Sequence, residues 1–152
     1  MLQIERTVEE NKKIIERYPF LKPRYSNGNE PPYYDYSWTY LDLIPNGWYK
    51  AFGKEMLEEI REDCIKNNYL DKLMIADIKE KYGELRIEVY VIPIESKIFD
   101  IFNKYEKMSG HFCMFCGEPS EIRSRNGWLT TMCSKCEEEI NKKRKNRRTN
   151  NE

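Results

Sequence analysis

The stretch from Cys113 to Cys136 reads CMFCGEPSEIRSRNGWLTTMCSKC, two Cys-x2-Cys pairs separated by sixteen residues. Two residues between paired cysteines let both sulfurs reach one ion, and two such pairs complete a tetrahedron. A gap of about 15–20 residues between the pairs is typical of four-cysteine zinc sites. The spacing therefore predicts one Zn²⁺ site with four ligands: Cys113, Cys116, Cys133 and Cys136.

The residues around the cysteines predict a small module over residues 111–140. Gly117 suits the tight turn of a zinc knuckle, Asn-Gly at 126–127 predicts a hairpin turn, and the second pair precedes a helix-forming segment. Together these features look like a treble-clef or zinc-ribbon-like module. Four thiolates leave no open coordination position, so the zinc is expected to be structural. His111 could displace a cysteine, but the spacing does not require it, and it is left out of the predicted site.

A strongly basic segment follows the module. Six of the seven residues from 142 to 148 are basic: Lys142, Lys143, Arg144, Lys145, Arg147 and Arg148. Each phosphate that a cation neutralises releases counterions and adds affinity, so these side chains are predicted to bind nucleic acid. The alternative is a solvated terminus that aids solubility. Residues 141–152 are expected to form a flexible tail.

The preceding part, residues 1–110, predicts an α+β body. Apolar residues recur at helical spacing in three segments, which are 7–18, 47–66 and 96–108. Period-two alternation from Leu73 to Ile92 predicts a β-hairpin that turns at 81–84, and its inward-facing residues are expected to be Met74, Ala76, Ile78, Leu85, Ile87, Val89 and Val91. The expected fold is thus a small helix–hairpin–helix body with a C-terminal treble-clef or zinc-ribbon-like module.

Within the body, residues 19–45 contain five of the seven prolines and many aromatic rings. Proline interrupts regular structure, so a packed irregular loop is expected, with one short strand at Tyr34–Leu41. The rings either cover the core or form a recognition surface for a protein or for single-stranded nucleic acid. The candidates for partner binding are Tyr33, Tyr34, Tyr36 and Trp38.

Charge is balanced overall but segregated along the chain. The 26 Lys and Arg residues equal the 26 Asp and Glu residues, which excludes a simple polycation. Residues 1–110 nevertheless carry a net charge of −3, and residues 111–152 carry +3.

The sequence has no apolar run of membrane-spanning length and no apolar leader, so a cytoplasmic protein without a membrane partner is expected. In that reducing compartment, cysteines favour metal ligation or burial, and Cys64 is predicted to be a buried thiol.

Catalytic patterns are scarce, and the chain is predicted not to be an enzyme. It has one histidine and neither of the common glycine-rich phosphate loops. An enzymatic alternative would need a cleft in which carboxylates converge. The carboxylates considered for it are Asp35, Asp42, Asp77, Glu80, Glu84 and Glu88.

Three segments carry a resemblance to known proteins: IPNGW at 44–48, IKEKYGELR at 78–86, and the Cys-x2-Cys-Gly…Gly-Trp…Cys-x2-Cys module. They resemble those of small, uncharacterised proteins encoded by bacteriophages and prophages, over roughly residues 38–137. In such proteins the last ligand is often histidine, where this chain has Cys136. The resemblance implies a phage origin and the host bacterial cytoplasm, and it brings no activity with it.

Two functional hypotheses follow. In the leading one, a non-catalytic zinc-binding phage protein binds a host or phage nucleoprotein complex and inhibits a host defence nuclease such as a CRISPR effector, as anti-CRISPR proteins do. The aromatic loop would then contact protein, and the basic segment would contact phosphate. In the alternative, the chain binds DNA or RNA directly and regulates phage gene expression or DNA metabolism.

Overall fold

The structure is a computed structural model that describes residues 5–91 and 96–151. Its elements in chain order are α1 (Val8–Arg17), 3₁₀ turns at Pro19–Leu21 and Tyr40–Leu43, α2 (Asn46–Trp48), a π-helical turn (Tyr49–Gly53), α3 (Lys54–Lys66), β1 (Met74–Lys81), β2 (Glu84–Val91), α4 (Ile98–Ser109), β3 (Ile122–Arg125), β4 (Trp128–Thr131) and α5 (Ser134–Thr149). β1–β2 and β3–β4 form two separate antiparallel sheets. The α+β class is therefore confirmed. No helix within the described ranges is long and apolar enough to cross a membrane.

The main core lies between α3, α4 and the inner face of the β1–β2 hairpin. Trp48, Phe52, Met56 and Ile60 recur every four residues, and each is at most 3% exposed. Cys64 continues this buried stripe, and its burial raises the pKa of its thiol to about 12. The predicted burial of this thiol is confirmed, and a thiol with so high a pKa is a poor nucleophile.

The hairpin turn forms where the sequence predicts it. Tyr82 and Gly83 both have positive φ, 54° and 83°, which is the backbone that a two-residue type I′ turn requires. Leu85 and Ile87 of β2 face the core as expected. Ile92, where the sequence predicts the end of the hairpin, lies outside the described residues.

The prediction of which β1 side chains face the core is wrong near the start of the strand. Ile75 and Ile78 are buried, whereas Met74 and Ala76 are only half-buried. The register with β2 shifts on both sides of Ile75, and such an irregularity adds a residue to one strand. The strict two-residue alternation is therefore lost over these positions.

The aromatic segment 19–45 is irregular, and the short strand predicted at Tyr34–Leu41 is wrong. The segment ends in a 3₁₀ turn because Thr39 caps it: the Thr39 Oγ1 accepts from the Leu41 amide at 3.1 Å, and the Asp42 carboxylate accepts from the Thr39 amide at 2.9 Å. Reciprocal capping of this kind starts a helical turn, and it therefore disfavours the extended backbone that a strand would need.

The cysteine module packs directly on the body through backbone contact. The Gly47 amide donates to the Met114 carbonyl at 2.9 Å, and the Trp48 indole N–H donates to the Phe112 carbonyl at 2.8 Å. A Cβ at Gly47 would lie 2.1 Å from the Cys113 carbonyl oxygen, so only glycine fits there. Met114 itself belongs to the main core. The domain boundaries predicted at residues 110 and 140 stay predictions.

Candidate metal centre and adjoining grooves

The first cysteine pair lies in a tight turn at residues 113–118, the knuckle turn, which two local backbone hydrogen bonds close. The Gly117 amide donates to the Cys113 carbonyl at 2.9 Å, and the Cys113 amide donates to the Glu118 carbonyl at 2.7 Å. Gly117 has φ +82°, a conformation that side chains with a Cβ rarely adopt. The turn therefore folds the chain back at Cys116 and presents both sulfurs on one side.

The second pair is placed by a hairpin and a helix. Asn126 and Gly127 have φ values of 53° and 85°, so the predicted two-residue turn between β3 and β4 is confirmed. β4 then leads to Cys133, which is the N-cap of α5 and whose sulfur accepts from the Cys136 amide at 3.5 Å. The Met114 amide donates to the Thr131 carbonyl at 2.9 Å and ties the two pairs together.

The four predicted ligands form one cluster. Their sulfur atoms all lie within 4.8 Å of one another, and the Cys116 and Cys133 sulfurs are 3.6 Å apart. Four thiolates at about 2.3 Å from a tetrahedral ion would be separated by about 3.8 Å, so the arrangement fits such an ion. Cys113 is fully buried and Cys136 is 8% exposed, while Cys116 and Cys133 are half-buried. These four cysteines could hold a metal ion.

The electrostatics of the cluster also favour a cation at its centre. Burial raises the pKa of the Cys113 thiol, but the amides of Cys133, Cys116 and Phe115 outweigh it and lower that pKa to about 7. For Cys136, burial and then the neighbouring thiols raise the pKa. One thiolate thus forms readily, while ionising all four needs a positive charge among them.

The six basic side chains of residues 142–148 do not form one surface, because α5 continues through the whole segment and distributes them over different faces of the helix. At about 100° per residue, Lys143 and Arg147 share a face with Cys136 and Ile140. Lys142 and Lys145 lie on the opposite face. All of residues 141–150 are exposed. The flexibility predicted for residues 141–152 concerns motion and stays a prediction.

A groove follows the side of α5 that faces the first cysteine pair, and we call it the knuckle groove. Its volume is about 560 Å³. Lys143, Arg144 and Arg147 line it from the helix, and Phe115 and Asn46 line it from the opposite wall. Three of the six predicted phosphate-binding residues therefore converge on one concave surface. Asn46, at the start of α2, and Phe115, between two ligands, were not predicted as site residues.

A second groove, the hairpin groove, lies between α5 and the β3–β4 hairpin. Its volume is about 630 Å³. Trp128 forms its outer wall and is 77% exposed. Arg144 lines this groove as well as the knuckle groove, so one cation stands between them. Trp128 was missed as a site residue, although a large aromatic side chain directly after a two-residue turn is a signal that could have identified it.

Arg125 braces the hairpin against α5. Its guanidinium faces the Glu137 carboxylate at 2.9 Å, and it donates to the Thr130 hydroxyl at 2.6 Å and the Met132 carbonyl at 2.9 Å. The Arg125 side chain also lowers the pKa of the Glu137 carboxyl. The negative charge of Glu137 is therefore neutralised inside the hairpin groove, which leaves Arg144 as its unpaired charge among these three.

His111 lies outside the cluster of sulfurs. It is exposed, and its Nδ1 is 3.2 Å from the Glu121 carboxylate. Leaving His111 out of the ligand set agrees with this placement.

The predicted partner-binding aromatics differ in exposure. Tyr33 is 94% exposed and Trp38 is 40% exposed, while Tyr34 and Tyr36 are half-buried and pack on each other with ring centroids 4.9 Å apart. Phe20 and Tyr40 of the same segment are buried in the core. The segment thus does both things that its sequence allows: some rings cover the core, and others face solvent.

Several of the carboxylates considered for catalysis pair with nearby groups. Asp42 faces Arg6 at 2.9 Å, and Glu88 faces Lys79 at 3.2 Å. Glu80 accepts from the Gly83 amide in the hairpin turn at 2.7 Å. These contacts give the three side chains structural partners, and the absence of enzymatic activity stays a prediction.

Comparison of the chain with protein-family models, with curated proteins and with solved structures finds no match.

Proposed function

We propose that the four cysteines bind one structural Zn²⁺. Four sulfur ligands at tetrahedral spacing are the donor set that zinc takes in closed sites, and such a site stabilises a fold and leaves no position for substrate. The ligands are contributed by the knuckle turn and by the start of α5, so the ion would fix the helix relative to the body. Elemental analysis of purified protein should give about one zinc per chain. A folded protein with no bound metal at neutral pH would overturn this assignment.

We further propose that the chain binds nucleic acid through the groove-facing side of α5. The observation that carries this proposal is the convergence of Lys143, Arg144 and Arg147 on the knuckle groove. Cations on one concave surface can contact successive phosphates together, whereas the same number scattered around a helix cannot.

The zinc site itself influences where phosphate would bind. Four thiolates with one Zn²⁺ carry a net charge of −2, and Glu139 also lines the knuckle groove near Cys136. Both features repel phosphate from the end of the groove next to the metal. Arg147 lies about three turns farther along α5 than Cys136, so it is expected to contribute more to phosphate binding than Lys143.

A pair of double variants tests the proposal. Lys143→Gln/Arg147→Gln removes two charges from the groove face, and Lys142→Gln/Lys145→Gln removes two charges from the opposite face of the same helix. Binding of a fluorescent 20-nucleotide oligomer is measured between 50 and 200 mM salt. Each lost phosphate contact reduces the salt slope by about 0.7–0.9, so the groove-face variant should lose roughly 1.5.

The two variants also define the results that would contradict the proposal. If both double variants lost equal affinity for the oligomer, the basic side chains would attract it by net charge alone and the groove would have no role. No binding by the parent chain at 50 mM salt would overturn nucleic-acid binding altogether. Zinc content and the unfolding midpoint, measured for both variants, show that each is folded.

A second candidate function is supported by the exposed aromatic side chains of residues 19–45. Tyr33 and Trp38 face solvent, and aromatic residues are the usual anchors of protein interfaces. In this proposal the chain is a phage protein that docks on a nucleoprotein complex and inhibits a host defence nuclease of the CRISPR type. Capture from host extract, followed by a nuclease-inhibition assay, tests it. Tyr33→Ala/Trp38→Ala should abolish capture, and full inhibition by that variant would contradict the proposal.

A further inference from the structure

We propose that the hairpin groove accepts an unpaired base, so that the nucleic acid bound by this chain is single-stranded. The inference rests on the nucleic-acid binding proposed above and specifies its ligand. The knuckle groove would contact phosphates, and the hairpin groove would receive a base that stacks on Trp128.

The position of Trp128 suits stacking. It is the first residue of β4, directly after the two-residue turn, and Arg125 is its cross-strand partner in the hairpin register. The indole is 77% exposed even though it borders a groove. A large aromatic ring left open to solvent beside a cleft offers a planar face to a ligand ring, and any of the bases can occupy it.

The rest of the groove offers both apolar surface and hydrogen-bonding groups. Phe115, Met132 and Ile140 supply apolar contacts. Asn126 and Asn141 carry amide groups that can both donate to and accept from a base edge. A flat, polar-edged aromatic ligand matches this lining better than a peptide side chain with one functional group does.

Charge continuity connects the two grooves. Arg144 lines both of them, so a strand that places a base against Trp128 would bring its phosphate to Arg144. The next phosphates would then follow Lys143 and Arg147 along α5. Glu137 does not oppose this path because Arg125 neutralises it at 2.9 Å. Bases in a duplex are stacked and paired inside the helix, and they cannot enter such a groove without being unpaired.

The experiment compares three probes that carry the same number of phosphates per strand: oligo(dT) of ten nucleotides, an abasic oligomer of ten, and a ten-base-pair duplex. The parent chain should bind oligo(dT) about 5- to 150-fold more tightly than the abasic oligomer, which is the range of one stacked base. An oligo(rU) arm distinguishes RNA from DNA, and tighter binding of either identifies the strand.

Variants at two exposed tryptophans provide the matched comparison. Trp128→Ala should remove the preference for oligo(dT) over the abasic oligomer and leave the affinity for the abasic oligomer unchanged. Phe99→Ala, at an exposed ring of α4 that lines neither groove, is the control and should change neither. Trp38→Ala tests the aromatic segment instead. Loss of the preference with Trp38→Ala but not with Trp128→Ala would overturn the inference and place the stacking surface in residues 19–45.

The failures of the two proposals are distinguishable. If the parent chain binds all three probes equally and Trp128→Ala has no effect, the base-binding groove is excluded while phosphate binding stands. If the chain binds none of the probes at 50 mM salt, the nucleic-acid function itself fails. Quenching of tryptophan fluorescence by oligo(dT) in a Trp38→Phe background gives a second readout, because of the two remaining tryptophans Trp48 is fully buried and Trp128 is exposed.

Discussion

Gly47 is the residue at which the body and the cysteine module approach most closely. A Cβ there would lie 2.1 Å from the Cys113 carbonyl oxygen, 2.6 Å from the Met114 carbonyl carbon and 2.7 Å from the Gly117 amide nitrogen. All three are backbone atoms of a tight turn, so they cannot move aside as the end of a side chain can.

Gly47→Ala should therefore destabilise the protein strongly. We expect a loss of about 2–4 kcal/mol in the free energy of unfolding, because either the helix or the knuckle turn must shift. Gly110→Ala is the control: its Cβ would lie 3.1 Å from the end of the Ile122 side chain and at an ordinary contact distance of 3.5 Å from the Lys107 carbonyl oxygen, and it should cost under about 1 kcal/mol. Urea unfolding of both variants measures the difference, and similar costs would contradict the close backbone contact.

Cysteine substitutions distinguish the thiols proposed to bind zinc from the thiol that only packs in the core. Cys113→Ser should reduce bound zinc from about one per chain to well below half and should lower the unfolding midpoint, because a serine hydroxyl is a poor zinc ligand. Cys64→Ala should retain the full zinc content, since Cys64 is packed in the core with a pKa of about 12. Elemental analysis of both proteins checks this, and zinc loss from Cys64→Ala would contradict the ligand assignment.

Among the elements, α1 is fastened to α3 by a carboxylate that serves two partners. The Arg17 guanidinium donates to both oxygens of Glu58, at 2.7 and 2.8 Å, and the Tyr18 hydroxyl donates to the same carboxylate. Hydrogen bonds from Arg17 and then Tyr18 lower the pKa of Glu58 to about 2. Because the pKa of Glu58 in the folded protein lies below its ordinary value, this contact stabilises the fold at neutral pH. The stabilisation is lost as the pH falls from about 4.5 to about 2 and the carboxylate becomes protonated.

Glu58→Gln should accordingly be less stable than the parent at pH 7, and the difference should shrink between about pH 4.5 and pH 2. The effect should be modest because Arg17 is half-exposed and solvent screens the pair. Glu62→Gln, an exposed carboxylate on the same helix, is the control and should show little change. Unfolding free energies across this pH range provide the test. A difference that grows as the pH falls would contradict the assignment.

Elements governed by local chemistry were the ones predictable from sequence. The turns at 82–83 and 126–127 follow from glycine at a position of positive φ, and the Thr7–Glu10 capping box starts α1 where the spacing indicates. The irregularity beside Ile75 and the π-helical turn at Tyr49–Gly53 were not predictable, because each depends on packing. In the π turn, the Tyr49 ring lies over Gly53, where any Cβ would come within 2.3 Å of it.

The candidate site likewise has features that follow from local sequence and features that depend on packing. The cysteine cluster could be predicted because the spacing of two Cys-x2-Cys pairs is a local geometric requirement for a shared metal ion, and the structure brings the four sulfurs together. The grooves could not be predicted, because they depend on how α5 is rotated against the hairpin and the knuckle turn. That rotation decides that Arg147 lines a groove while Lys145, two residues earlier, does not.

At the scale of the whole molecule, the cysteine cluster and the core are joined by hydrogen bonds and packing. Trp48 is fully buried in the main core and donates to the Phe112 carbonyl beside the first ligand. The Thr131 hydroxyl donates to the Gly83 carbonyl at 2.5 Å, so the second sheet is also tied to the turn of the first. Disrupting the cysteine cluster would therefore disturb both sheets and α2.

Metal removal should destabilise the entire chain in one transition. If free zinc stands at about 1,000 times its Kd, chelation costs roughly 4 kcal/mol of unfolding free energy. Trp48 fluorescence, isolated in a Trp38→Phe/Trp128→Phe background, reports on the core, and far-UV circular dichroism reports on the helices. Both signals should shift together to a lower midpoint. A Trp48 transition that is unchanged by chelation would mean that the body folds independently.

The bond from Trp48 to Phe112 also has a consequence for biosynthesis. Its partners are 64 residues apart in the chain, so α2 emerges from the ribosome long before the turn that completes its packing. At about 5–20 residues per second, the interval is roughly 3 to 13 seconds. During that time the nascent chain exposes the apolar face around Trp48, and zinc can help only after Cys136 has been added. The newly made protein is thus most vulnerable to aggregation and to chaperone capture before its last ligand is synthesised.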